Sequence, residues 1–237
     1  ALSSAASDVY KRQAVVGRNG SGKTTFIKLM CRLYDVTDGE ILINGVNIKD
    51  YTKDSIIKLY SVVFQDFKIF SVSLKDNICA NSDFEGDRFY TCLENADIKE
   101  RTEHMPNKEN TYLYKDLDEN GVEISGGEAQ KIAIARVFVR PYELIIMDEP
   151  SSALDPVAEY ELNHSILNAA DRQDRTVIFI SHRLSTTRFA DRILLFADGC
   201  LRESGSHDRL MELNGLYAEM FRMQAEKYRR GEEQETA

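Results

Sequence analysis

A chain of 237 residues with 43% hydrophobic side chains can bury a substantial core, as one large domain or one domain with a subdomain. Its 30 Lys+Arg against 39 Asp+Glu give a net charge of −9, which argues against a dedicated nucleic-acid surface. Cys31, Cys79, Cys92 and Cys200 are scattered without Cys-x-x-Cys spacing, so reduced thiols are expected rather than disulfides or a zinc site. No apolar run approaches the roughly 20 residues that span a bilayer, so any membrane role needs a span from elsewhere.

Residues 1–13 are set apart from the fold. Asp8-Val9-Tyr10-Lys11-Arg12-Gln13 is the translation of GATGTGTATAAGAGACAG, which resembles the end of a transposase sequencing adapter, and such segments are excluded from fold reasoning. The natural gene is then expected to continue upstream. Ala14-Val15-Val16 reads as the end of a buried strand, and Thr24 to Tyr34 as a helix with Phe26, Ile27, Met30 and Leu33 on its apolar face. A hairpin is expected about Asn44-Gly45, between Glu40–Asn44 and Val46–Ile48. Ser55–Leu59 follows as a helix, and Ser61–Phe64 as a buried strand ending at Gln65.

From Asp66 to Arg140 the pattern turns to helices and polar loops, with helices predicted over Leu74–Ala80, Arg88–Ala96 and Gly126–Val139. Leu144–Met147, Thr176–Ile180 and Ile193–Phe196 are short continuous apolar runs, as suits strands covered on both faces of a parallel sheet. Pro156–Ala169 and Leu184–Phe189 supply helical crossovers, and Asp198-Gly199 a closing hairpin with Cys200–Glu203. A charged helix follows, and residues 228–237 are expected to form a disordered tail. The architecture expected is a three-layer α/β core with a mostly parallel sheet and a helical subdomain, about 66–140, inserted after Gln65.

Gly17-Arg18-Asn19-Gly20-Ser21-Gly22-Lys23-Thr24-Thr25 fits Gly-x4-Gly-Lys-Thr between an apolar strand and a helix. Its glycines let successive N–H groups face phosphates, Lys23 is placed to reach the β/γ-phosphates of ATP, and the Thr24 hydroxyl to ligate Mg²⁺. Leu144–Met147 carries Asp148 and Glu149 to a strand's C-terminal end, where ligands of α/β sheets sit. Asp148 suits Mg²⁺ binding through water, and Glu149 suits polarisation of the attacking water. Gln65, after another strand, is a candidate contact to Mg²⁺ or that water through its amide. His182, beyond Thr176–Ile180, is a candidate hydrogen-bond partner of the γ-phosphate. Ser125-Gly126-Gly127 opens a helix, either as a plain cap or as a second, exposed anion site.

The order of the phosphate loop, Ile124-Ser125-Gly126-Gly127-Glu128-Ala129-Gln130 and Leu144–Glu149 resembles the ATP-binding cassette (ABC) family over roughly Ala14 to Lys227. The resemblance implies a P-loop nucleotide hydrolase fold and ATP sites shared between two cassettes, identical or not. Ser125, Gly126, Gly127 and Glu128 then form the signature that caps a partner's γ-phosphate. Ala153, Leu154 and Asp155 fall in the D-loop, and His182 is the switch histidine. Leu117–Glu123 resembles the segment that touches transmembrane helices in ABC exporters, although Asp118 stands where Gly is usual, and Glu128 replaces the commoner Gln. The family's adenine-stacking aromatic belongs upstream of this chain.

Phe64-Gln65-Asp66, Ile69-Phe70-Ser71, Leu74–Ile78 and Gly215–Met220 look like bacterial exporters that fuse membrane and ATPase domains. The implied protein is an exporter ATPase on the cytoplasmic face of the cell membrane, with a permease domain fused upstream and no nucleic-acid partner. The rival is a soluble ABC-type ATPase of chromosome maintenance or translation. Against it, the stretch between phosphate loop and signature has no sustained heptads, and a single set of motifs is present. A non-catalytic regulatory cassette usually lacks Glu149 or His182, and both residues stand in this sequence.

Overall fold

The computed structural model describes residues 12–80, 86–139, 142–149, 164, 167, 175–181 and 184–235. The chain divides into two compact units, Ala1–Ile57 with Thr176–Ala237, and Lys58–Arg175.

In the first unit, β1 (Arg12–Val16) pairs in parallel with β6 (Thr176–Ile180) on one side and β7 (Arg192–Ala197) on the other. Ala14, Val15, Val16, Ile193 and Leu195 are fully buried, as expected of apolar runs covered on both faces. β8 (Cys200–Gly205) returns antiparallel to β7 through Asp198-Gly199, and β2 (Leu42–Ile43) meets β3 (Val46–Asn47) through Asn44-Gly45. Both turns hold positive φ at both central residues (52° and 73°, 50° and 79°), the conformation that matches hairpin twist.

Strand β1 begins earlier than the sequence reading allows. Arg12 and Gln13 belong to it: Gln13 is buried, and the Arg12 guanidinium lies 2.6 Å from Asp191 Oδ1. Helix α1 (Lys23–Met30) is shorter than Thr24–Tyr34. Arg32 turns left-handed (φ 52°) and sends Nη1 to the carbonyls of Ile48 (3.1 Å) and Tyr51 (2.5 Å), which ends the helix. Of the expected apolar face Ile27 is buried, whereas Leu33 is exposed. Leu184–Phe189 forms a 3₁₀ segment in place of an α-helix.

The unit closes with α7 (His207–Leu213) and α8 (Leu216–Glu235). Helix α8 continues through the stretch from 228 where a disordered tail is expected; Glu232, Glu233, Gln234 and Glu235 favour helix and outweigh the lone Gly231. The Glu203 carboxylate accepts the Leu216 N–H (2.6 Å) and the Tyr217 N–H (3.1 Å) at the start of α8. Tyr217 is fully buried, with Oη 2.7 Å from Thr187 Oγ1 and 2.8 Å from His207 Nδ1. Thr187 spends its one proton on Leu184 O (2.6 Å). The Tyr217 hydroxyl therefore donates to Thr187 and accepts from His207 Nδ1–H.

Tyr217→Phe removes the middle of that chain and strands two partners. It is expected to cost about 1–2 kcal/mol, read as a lowered urea midpoint at unchanged slope. An unshifted midpoint would show that the two groups find partners without the hydroxyl.

In the second unit, β4 (Tyr60–Val63) pairs in parallel with β5 (Leu144–Asp148), from Tyr60↔Leu144 to Val63↔Met147. The helices are α2 (Lys53–Leu59), which bridges the division between the units, α3 (Leu74–Cys79), α4 (Gly86–Asn95), α5 (Lys99–Glu103) and α6 (Gly126–Ala135). Ile132, Ile134 and Ala135 of α6 and Leu93 of α4 are fully buried. After Ala135 the expected long helix tightens to a 3₁₀ turn over Arg136–Phe138. Cys79 and Cys92 are buried thiols, and burial pushes Cys92 up to about 11, so both side chains act as apolar filling. No helix of the described residues is long and apolar enough to cross a membrane.

Candidate functional site

The phosphate loop leaves β1 at Gly17, where space forbids any side chain. A Cβ there would lie 2.2 Å from the Phe196 carbonyl oxygen and 2.6 Å from Ser21 Oγ. The Ser21 N–H donates to Arg18 O (3.1 Å) and closes the loop. Gly22 is the N-cap of α1 with φ 99° and contributes no side-chain cap, so the helix offers its first N–H groups to the loop's hollow. Lys23 is buried, and its Nζ donates to Gly17 O (2.9 Å) and Arg18 O (3.1 Å).

Ser21 Oγ is buried without a hydrogen-bond partner, an orphan donor beside uncapped N–H groups and a lysine. These features fit a bound polyphosphate. Arg18, Asn19 and Gly20 are exposed at the loop's tip, and Thr24 and Thr25 are exposed at the start of α1.

Register brings two further candidate residues together in the other unit. Val63 faces Met147, so the chains leave β4 and β5 side by side, and two residues on from each stand Gln65 and Glu149. Gln65 Nε2 donates to Glu149 Oε2 at 3.1 Å across 84 residues of sequence. Asp148 completes β5 and is 3% exposed, while Glu149 is half-buried, so the two carboxylates face different surroundings. Glu149 sits in the left-handed region (φ 53°), a backbone state that costs about 1–3 kcal/mol in a non-glycine residue and clusters at functional sites.

Ser125 caps α6 in a full capping box. The Glu128 N–H donates to Ser125 Oγ (3.2 Å), and the Ser125 N–H donates to Glu128 Oε2 (2.7 Å). Ser125 and Gly126 are exposed, and the Cβ position of Gly126 opens on empty space. Gly127 is half-buried in the first turn. Burial raises the Glu128 pKa, but the Ser125 N–H and the Arg101 guanidinium outweigh it and hold the carboxyl below the usual carboxylate range.

What fastens these parts is two polar side chains, Asn77 and Arg136, whose pairing no motif in the sequence marks. Asn77 accepts the Phe70 N–H (2.9 Å) and donates to Phe70 O (2.9 Å) and Ser73 O (3.1 Å). Arg136, just past α6, donates to Asn77 O and Lys68 O, both at 2.9 Å. The segment after Gln65 is thereby tied to the far end of the signature helix. Asp118 takes the Asn120 N–H on its side chain (2.9 Å) and the Gly121 N–H on its carbonyl (2.8 Å), so the departure from Gly builds a local turn. Such pairs carry no mark in local sequence beyond a short polar residue near a turn.

Ala153, Leu154, Asp155 and His182 lie outside the described residues. Among the described residues no group of three or more His, Cys, Asp or Glu side chains is arranged to hold a metal ion.

A family profile described as ABC transporter matches residues 8–152. The chain is 38% identical over 216 residues to the ATP-dependent lipid A-core flippase of Mannheimia succiniciproducens, covering 90% of this chain and 36% of that protein. To the subtilin transport ATP-binding protein SpaT of Bacillus subtilis it is 40% identical over 213 residues, covering 89% and 34%. A solved structure of a bacterial Atm1-family ABC exporter with ATP bound aligns with a TM-score of 0.82 at 35% identity, over 91% of this chain and 37% of that one. The chain thus spans about a third of the length of the relatives it matches. With the phosphate loop, the Asp-Glu strand end and the capped helix α6 all in place, this chain belongs to the ABC transporter family.

Proposed function

We propose that this cassette is the motor of a membrane exporter, working at the cytoplasmic face of the cell membrane beneath a permease domain carried upstream in the same protein. The carrying observation is the exposed N-terminus of α6. Ser125 and Gly126 present an anion-ready helix end to solvent, while the chain's own phosphate loop already supplies a cradle elsewhere. A helix end of this kind is well used as the cap on a nucleotide held by a second cassette, identical or not. Names of similar proteins support export over chromosome maintenance or translation.

In this reading the loop Gly17–Thr25 holds ATP, with Lys23 turning from the loop carbonyls to the phosphates. Thr24, Gln65 and Asp148 offer one hydroxyl, one amide and one carboxylate, hard oxygen donors of the kind Mg²⁺ takes alongside retained waters. Mg²⁺ would supply neutralisation of phosphate charge. Glu149, freed from Gln65, polarises the attacking water; His182 orients toward the γ-phosphate; and Ala153, Leu154 and Asp155 carry the state of one site to the other. The helical subdomain passes closure and reopening to the permease, with Leu117–Glu123 as the touching segment.

Two measurements test the proposal. Mg²⁺ and ATP together are expected to drive association of the chain in sedimentation, where either alone does not; monomers at saturating Mg-ATP would remove the shared site. The upstream reading frame is expected to encode a series of apolar stretches of about 20 residues. A frame without them would overturn the exporter assignment and leave the ATPase intact.

A further inference from the structure

The signature of this chain carries a charge that a glutamine there would not. Glu128 places a carboxylate at the N-terminus of α6, 2.7 Å from the Ser125 N–H. That charge complements the helix dipole. Against an incoming phosphate it is repulsive, because both anions compete for the same helix end. The other carboxylate oxygen, Oε1, is taken by Arg101 Nε at 2.5 Å, from α5 and 27 residues earlier in the chain.

We infer that Arg101 is a positioning residue for nucleotide closure, neutralising Glu128 and holding its carboxylate so that Ser125 faces the partner's γ-phosphate without a net negative charge beside it. The inference rests on the composite-site reading above. Anchoring of α6 alone does not require Arg101, since Lys131 on the next turn reaches Asp97 Oδ2 at 2.5 Å and ties the helix to the end of α4. What Arg101 adds is specific to the capping box. With Oε2 on the Ser125 N–H and Oε1 on Arg101, rotation of the Glu128 side chain breaks both contacts.

Glu128 is charged at neutral pH, because its partners keep the carboxyl below the ordinary range. The side chains of Arg101 and Glu128 are 40% and 24% exposed, so water screens the pair in the open cassette and its effect on folding is small. Once a second cassette and its nucleotide cover this face, water leaves and the same charges weigh more. Arg101 should therefore matter for closure and little for stability.

The test compares wild type, Arg101→Ala, Arg101→Lys, Glu128→Gln and the double variant Arg101→Ala/Glu128→Gln in the full chain. Readouts are the Mg-ATP-driven dimerisation constant, KM and kcat, and nucleotide-free melting. Arg101→Ala is expected to weaken Mg-ATP-driven association about 3- to 10-fold with little change in melting. Arg101→Lys is expected to recover most of the loss, and the double variant to match Glu128→Gln, since an amide needs no counter-charge. Lys131→Ala, which cuts the neighbouring tie, measures anchoring alone. Wild-type association in Arg101→Ala, or an Arg101→Ala loss as large in the Glu128→Gln background, would overturn the inference. A wild-type chain that does not associate with Mg-ATP overturns the composite-site reading itself, before any variant is compared.

Discussion

Glu149→Gln is expected to leave Mg-ATP binding in place and to lower turnover by about 10²–10⁴-fold, the usual loss when a general base is removed. The substitution keeps size and shape, and the left-handed backbone at φ 53° passes from one long side chain to another without a β-branch. The Gln65 amide still has an oxygen to donate to at position 149, so the contact between the ends of β4 and β5 survives. What disappears is the carboxylate proposed to take the proton from water. Dimers closed by Mg-ATP should then persist if, as proposed, hydrolysis is the step that separates them. Nucleotide binding by equilibrium titration and single-turnover hydrolysis separate the effects. Wild-type turnover in a folded Glu149→Gln protein would assign the base to another group.

Mixed dimers of Lys23→Ala and Ser125→Arg should regain single-turnover hydrolysis that neither variant has alone. Each homodimer carries its lesion in both shared sites. In the mixed dimer, one site pairs the Lys23→Ala loop with the Ser125→Arg signature, and the other pairs an intact loop with an intact signature. The recovery is an appearance of activity from background, which few indirect effects imitate. Ser125 is exposed, so an arginine there meets solvent in the open state and obstructs a face-to-face approach; it also removes the Oγ cap on the Glu128 N–H, so this variant too must first be shown to keep its fold by melting. Lys23 is buried on Gly17 O and Arg18 O, so its variant must first be shown to keep its fold by melting. Single-turnover measurement on verified mixed dimers decides; no recovery would return each ATP to a site built within one chain. Steady-state turnover is a poorer readout, because both sites firing together would mask one good site.

The two experiments bear on different links. Glu149→Gln tests chemistry at a strand end whose geometry is set within one unit of the chain. The mixed dimers test whether the exposed helix end of α6 receives a phosphate at all.

Much of the fold was legible because it rests on local rules. Ala14–Val16, Leu144–Met147 and Ile193–Phe196 are continuous apolar runs, and each is a buried strand. Asn44-Gly45 and Asp198-Gly199 announce turns with two positive φ angles, and both form. The ends of elements were less legible. α1 stops at Met30 although the apolar spacing runs on to Leu33, because Arg32 gains two carbonyls around residue 50 by leaving the helix. Helical periodicity describes a face, and a competing tertiary bond decides where that face ends.

Sequence by itself determined which residues are candidates for the chemistry. The phosphate loop needs glycines, a lysine and a hydroxyl within nine consecutive residues, and the strand end needs Asp148 and Glu149 adjacent. Chemistry confined to neighbours along the chain is written in their spacing. Tertiary structure alone decided which of these groups meet and in what state. The β4–β5 register brings Gln65 onto Glu149 over 84 residues. Arg101 of α5 meets Glu128 at the start of α6 over 27 residues, and Arg136 clasps Asn77 from 59 residues away. The left-handed Glu149 and the orphaned Ser21 hydroxyl likewise follow from what surrounds them. A hydrogen bond between distant residues depends on the path of the backbone, and that path is a property of the whole packed chain.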